Sequence, residues 1–133
     1  MASKSWKGSE DATAAKLRGK RTPLSGMNGG AGTSGDVHFP GIPGRKWLYV
    51  EAKQRGARTA PPATGGSIFA LFRDTATKAK RERYDTADGS RAARRPIVVY
   101  HEKGTQLRLA VLDLDLLAYL IDKADHNGSQ MDI

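Results

Sequence analysis

A mixed α/β fold, with a central sheet of about five strands flanked by helices, is what this chain of 133 residues predicts. Three observations carry the prediction. Helical periodicity appears near the start, in the middle and near the end. Between the helices lie short runs rich in branched and aromatic residues. The turns "PGIPG" and "KGTQ" are each short enough to fold such runs back as hairpins. The order helix, two or three strands, helix, two strands, helix buries its apolar faces most economically if the central helix crosses between two hairpins of one sheet.

Residues 4–18 form the first predicted helix, because Trp6, Glu10, Ala14 and Leu17 recur at i, i+4, i+8 and i+11. Ser3 or Ser5 is available as its cap, and Gly8 weakens it. "GKRTPLSGMNGGAGTSG" is too rich in glycine for regular structure and reads as a flexible loop over 25–35, with a short strand before it at 20–24. Strands follow at 36–39 and 46–54 around the Pro/Gly turn. After "RGARTAPPATGG" a helix is expected over 67–83, with Ile68, Leu71, Phe72, Thr75 and Ala79 as its apolar stripe and Arg73 and Lys80 along one edge. The polar segment "YDTADGSRAARR" reads as a loop. "PIVVYHE" and "LRLAVLDL" read as a second hairpin, the first strand central because it is nearly all apolar. "DLDLLAYLIDKA" is a closing helix with Leu114, Leu117, Ala118 and Ile121 at core spacing, and 125–133 a frayed tail. The length fits one domain over 1–133.

The chain holds 22 Lys and Arg against 14 Asp and Glu, a net charge of +8. The distribution is uneven: residues 109–133 carry one Lys and five Asp, leaving 21 basic and 9 acidic residues in 1–108. A cationic body of that kind gathers polyanions, and a nucleic acid backbone answers it with counterion release. There is no cysteine, so disulfides, thiolate metal sites and cysteine nucleophiles are excluded, and any metal must be held by oxygen or imidazole. Neither a signal peptide nor a run of 18 apolar residues is visible, so a soluble, cytoplasmic protein without membrane contact is expected.

Against that basic background, "GDVHFPGIPGRKWLYVEAKQR" keeps two acids close to a lysine. Side chains alternate along the second strand, so Trp47, Tyr49, Glu51 and Lys53 point one way and Leu48, Val50, Ala52 and Gln54 the other. A hairpin around "FPGIPG" returns Asp36 towards Glu51 and Lys53. Two carboxylates beside an ammonium suit metal-assisted phosphodiester cleavage. Magnesium takes one or two carboxylates and fills its octahedron with water and phosphate oxygens, and the main-chain carbonyl of Ala52 is a further donor. Lys53 is placed to orient water or to neutralise charge in the transition state. The plain alternative is a solvated Glu–Lys pair and a turn aspartate.

The pattern "GDV…YVEAK" resembles the D-x(n)-E-x-K signature of the PD-(D/E)xK nuclease superfamily. The order of elements over roughly 4–120 is similar to that of archaeal-type Holliday junction resolvases, including related phage enzymes. The resemblance implies a restriction-endonuclease-like sheet, Mg2+ with Mn2+ as substitute and no small-molecule cofactor. It also implies a homodimer that cuts four-way DNA junctions symmetrically. Asp36, Glu51 and Lys53 match the motif, and Glu10 matches a glutamate that joins the site from the first helix. Glu10 also shares a face with apolar residues, where a carboxylate is costly without a cation or metal. Arg21 and Ser25 match the family's DNA contacts, with Ser34 a weaker alternative to Ser25. Arg55, Arg73 and Lys80 complete the expected DNA-binding set. The chain departs from the pattern in having Gly35 before Asp36 and in the longer loop "MNGGAGTSG". Two other readings stay open: another nuclease of the superfamily, for repair or restriction, and a non-catalytic nucleic-acid-binding module in which the acids are structural.

Other residues carry less. His38, His101 and His126 have no ligand spacing, and the glycines lack the G-K-[ST] close of a phosphate loop. Asp113 and Asp115 read as caps of the last helix, and Trp6, Trp47, Tyr49 and Phe72 as core rather than base-stacking residues. Ile68, Phe69 and Phe72 are candidates for a dimer surface.

Overall fold

The computed structural model describes residues 2–23, 32–55 and 68–126, without the side chains of residues 2–7 and 55. Ser25, most of the glycine-rich loop, the end of the tail and the side chains of Trp6 and Arg55 therefore lie outside the described residues. In chain order the elements are α1 (Ala2–Lys16), β1 (Lys20–Arg21), β2 (Val37–His38), β3 (Leu48–Arg55), α2 (Ile68–Arg81), β4 (Arg83–Asp85), β5 (Arg91–Ala93), β6 (Arg95–Glu102), β7 (Arg108–Val111) and α3 (Leu114–His126). The class is mixed α/β: five strands in the order β1-β2-β3-β6-β7 form one sheet, and the three helices flank it. Every pairing is antiparallel except β3 with β6, which run parallel over their whole length from Leu48↔Arg95 to Arg55↔Glu102. That parallel pair is what α2 crossing between two hairpins requires.

The end of α1 sets how the helix meets the sheet. Arg18 takes a left-handed conformation at φ 62°, and the Gly19 N–H bonds back to the Ala14 carbonyl at 2.8 Å. A Cβ at Gly19 would stand 2.6 Å from the His38 carbonyl oxygen, so only glycine lets the chain turn this closely under β2. The turn lays α1 on one face of the sheet, where Ala14 joins Val37, Val50 and Val99 in the core, with Leu17, Phe39, Leu48 and Ile97 packed around them. Each such buried valine contributes about 1.5–3 kcal/mol of transfer free energy. The predicted face of α1 needs correction on one side. Ser9 and Thr13 are buried too, because Ser9 Oγ bonds His101 Nδ1 at 2.7 Å and Thr13 Oγ1 accepts from Arg108 Nε at 3.2 Å.

On the opposite face Tyr49 and Val98 are buried, and α2 packs over β6 with Thr75 and Ala79 fully enclosed. Arg73 and Lys80 stay exposed, as the edge of the helical pattern predicts.

Three expectations fail. Ile68, read as part of the apolar stripe of α2, is exposed at the start of the helix. The segment read as a polar loop contains the small hairpin β4–β5, registered Arg83↔Ala93, Tyr84↔Ala92 and Asp85↔Arg91. Its turn is held by Asp88, which accepts from Thr86 Oγ1, Ser90 N and Ser90 Oγ, with Gly89 at φ 87°. The Asp-Gly pair was the hairpin signal. In α3, Leu114, Leu117 and Ile121 are exposed and Leu116 is the buried residue. Leu116 and Leu120 widen the assumed stripe beyond one face, so spacing alone did not choose its inner side. Asp113 does cap α3, accepting the Asp115 N–H at 2.7 Å. Among the described residues no helix is long and apolar enough to cross a membrane.

Candidate active site

Asp36 and Glu51 face each other across the β2–β3 hairpin. Val37 pairs with Val50, and the Asp36 N–H donates to the Val50 carbonyl at 2.7 Å, so the next position outward sets Asp36 beside Glu51 on one face. Gly35 is fitted to this spot: a Cβ there would lie 3.0 Å from the Val50 oxygen. The Asp36 carboxylate reaches further and accepts the Ala52 N–H at 2.7 Å. In a strand the N–H and C=O of one residue point to the same edge, so the Ala52 carbonyl also faces the side of Asp36. In the register with β6, Glu51 lies beside Val98 and Lys53 beside Tyr100, the face covered by α2. Lys53 is exposed.

The acids are charged reluctantly. Burial pushes the Asp36 carboxyl above its ordinary range, against the pull of the Ala52 N–H and the ammonium groups of Lys53 and Lys78. Burial also raises Glu51, Asp36 adds to it, and Lys78 and Lys53 oppose. Glu10, arriving from α1, is pushed up to about 7 by burial and then by Asp36, with Glu51 and Asp11 adding and Arg21 opposing. Three carboxyl groups thus feel one another where the nearby lysines compensate only in part. Among the described residues no three His, Asp or Glu side chains form a metal cage on their own. The donors offered by Asp36, Glu51 and the Ala52 carbonyl fit magnesium, which leaves the rest of its shell to water and phosphate.

The remaining predicted residues scatter. Arg21 is not free: its Nε bonds Asp11 Oδ1 at 3.0 Å, a pairing that sets it beside Glu10. Arg73 and Lys80 sit on exposed turns of α2. Ser34, the weaker serine, has a structural place, its Oγ 2.9 Å from the Tyr49 hydroxyl and donating to Glu82 at 2.6 Å.

Two residues were missed. Lys78 stands three residues after buried Thr75 and seven after Leu71, on the flank of the helical stripe, where its charge is felt by Asp36 and Glu51 although it also pairs with Asp74 at 3.7 Å. Glu82 collects the segment that carries Asp36. It accepts from Thr33 Oγ1 at 2.6 Å, from the Ser34 N–H at 2.7 Å and from Ser34 Oγ, and it pairs with Arg94 at 3.2 Å. No local signal marks such a residue, because its partners Thr33 and Ser34 are some fifty positions away.

Comparisons of the chain with protein-family models, with curated proteins and with solved structures find no match.

Proposed function

We propose that this chain is a magnesium-dependent, structure-selective DNA endonuclease that resolves four-way junctions as a homodimer. The observation that carries the reading is the facing pair Asp36 and Glu51, both raised by burial, with the Ala52 carbonyl on the same edge and Lys53 beside them in solvent. The resemblance of the motif to the PD-(D/E)xK signature supports the reaction class. Asp36, Glu51 and the Ala52 carbonyl would hold Mg2+, or Mn2+ in its place. When bound, the ion supplies a more acidic water and stabilises charge on the phosphoryl oxygens. The chain's own residues do the rest. Lys53 offers its ammonium to the scissile phosphate, Lys78 offsets the charge of Asp36 and Glu51 from the α2 side, and Glu10 exchanges a proton near neutral pH.

Junction selectivity calls for two equivalent cuts in opposed strands, which an isologous dimer provides. Exposed apolar side chains suited to such a contact are Ile68 and Phe69 on α2, Leu109 on β7, and Leu114, Leu117 and Ile121 on α3. Contacts to phosphates and junction shape, rather than base edges, would then set specificity. The test is cleavage of a synthetic four-way junction and of linear duplex, each with and without magnesium. Symmetric, magnesium-dependent cuts in the junction, far faster than in duplex, are expected. Equal cutting of both would leave a nuclease of another kind, for repair or restriction. No cleavage of any DNA or RNA form would favour the non-catalytic binding module.

A further inference from the structure

Thr22 carries a hydroxyl that the fold buries and leaves unused. The residue is 8 % exposed, and its Oγ1 is enclosed without a hydrogen-bond partner among the described residues. Buried hydroxyls are nearly always bonded, so one that is not calls for a partner the fold does not itself supply. Its place in the sheet points to that partner. β1 pairs with β2 through Lys20↔His38 and Arg21↔Val37, and the Thr22 N–H donates to the Asp36 carbonyl at 2.9 Å. The register thus continues by one residue and sets Thr22 opposite Asp36. Pro23 follows and keeps Thr22 extended. Side chains alternate along an extended run, so Thr22 and Arg21 leave opposite faces. Arg21 lies on the α1 side: it bonds Asp11, and its cross-strand partner Val37 packs with Ala14. Thr22 therefore lies on the other side, the face that Asp36 shares with Glu51. Opposed side chains on one face start about 5 Å apart at Cβ, within reach of a hydroxyl and a carboxylate.

Asp36 has use for a second donor. Among the described residues its carboxylate receives the Ala52 N–H at 2.7 Å and no other hydrogen bond, and burial disfavours its charge. A carboxylate that ligates a metal is held in orientation by the donors around it. The Thr33 and Ser34 hydroxyls, which also lie close by in the chain, are committed to Glu82. Thr22 has no bond of its own to break. We infer that Thr22 is a positioning residue of the metal seat, its hydroxyl donating to the Asp36 carboxylate when the ion is held. The inference deepens the nuclease reading and rests on it for the ion.

The experiment measures Mn2+ binding to the full chain without DNA, from the EPR signal of the free ion, and melting temperature in EDTA. Thr22→Val keeps the shape and removes the hydroxyl. It is expected to weaken Mn2+ binding about 10- to 100-fold. In EDTA the same variant should melt at the wild-type temperature or higher, because the hydroxyl it removes has no bond there. Thr22→Ser restores the donor and should bind Mn2+ as wild type does. Thr22→Ala takes the place of Thr22→Val if that variant does not fold. Wild-type affinity in a folded Thr22→Val overturns the inference and leaves the metal seat standing. A lower melting temperature in EDTA with unchanged affinity makes the hydroxyl structural, and overturns it too. Binding lost as deeply in Thr22→Ser as in Thr22→Val assigns the effect to packing, against the hydroxyl. No Mn2+ binding by wild type removes the seat itself, and the inference with it.

Discussion

The carboxyl of Glu10 is raised from 4.5 to about 7, first by burial and then by Asp36. Between those two values the folded protein binds a proton there that the unfolded chain does not. The metal-free fold therefore loses stability as pH rises through that window, and the full penalty is present above about 7. Glu10 is only partly buried and solvent screens it, so the effect is about 1 kcal/mol. Glu10→Gln should raise the Tm in EDTA by roughly 3–5 °C at pH 8 and leave it unchanged near pH 4.5, as thermal melts would show. The placement of Asp36, Glu51 and Lys53 was legible in the sequence, since strand parity and one tight turn determine it. The roles of Lys78 and Arg21 were not, because they depend on the rotation of α2 and on the pairing of Arg21 with Asp11.

Elements depend on one another through a few long-range ties. The backbone that leads into β2 is held by Glu82 at the end of α2 through Thr33 and Ser34, while Glu82 also grips Arg94 before β6. Glu82→Ala leaves those donors without their carboxylate, at a cost of about 2–3 kcal/mol. The same change should slow cleavage while leaving DNA affinity nearly intact, because Asp36 loses its footing and the basic surface does not. Urea denaturation and anisotropy check the two halves. A variant whose stability matches wild type would remove this anchoring role. The two main hairpins and the crossing helix were readable from alternation, turns and period. Charged residues mask the strands of the β4–β5 hairpin, and the apolar arc of α3 is broader than the one side it buries, so its pattern does not single out Leu116.

At the scale of the molecule, basic and acidic regions are separated, with five of the 14 acids after residue 108. The acidic end carries exposed Leu114, Leu117 and Ile121, a surface unsuited to DNA and suited to a second copy. Sedimentation should give a dimer. Leu117→Glu with Ile121→Glu should give a folded monomer that nicks junctions singly instead of cutting them in pairs; a wild-type monomer that cuts in pairs would contradict this. Beneath those features lies the claim that Asp36 and Glu51 form a magnesium seat for phosphodiester cleavage. The direct test compares wild type with Asp36→Asn on a four-way junction at saturating protein, with binding measured in parallel. Magnesium-dependent cleavage by wild type, lost at least about a thousandfold in Asp36→Asn while the junction is bound as tightly or more so, is the predicted result. Cleavage by Asp36→Asn at the wild-type rate, or none by wild type with magnesium, would contradict it.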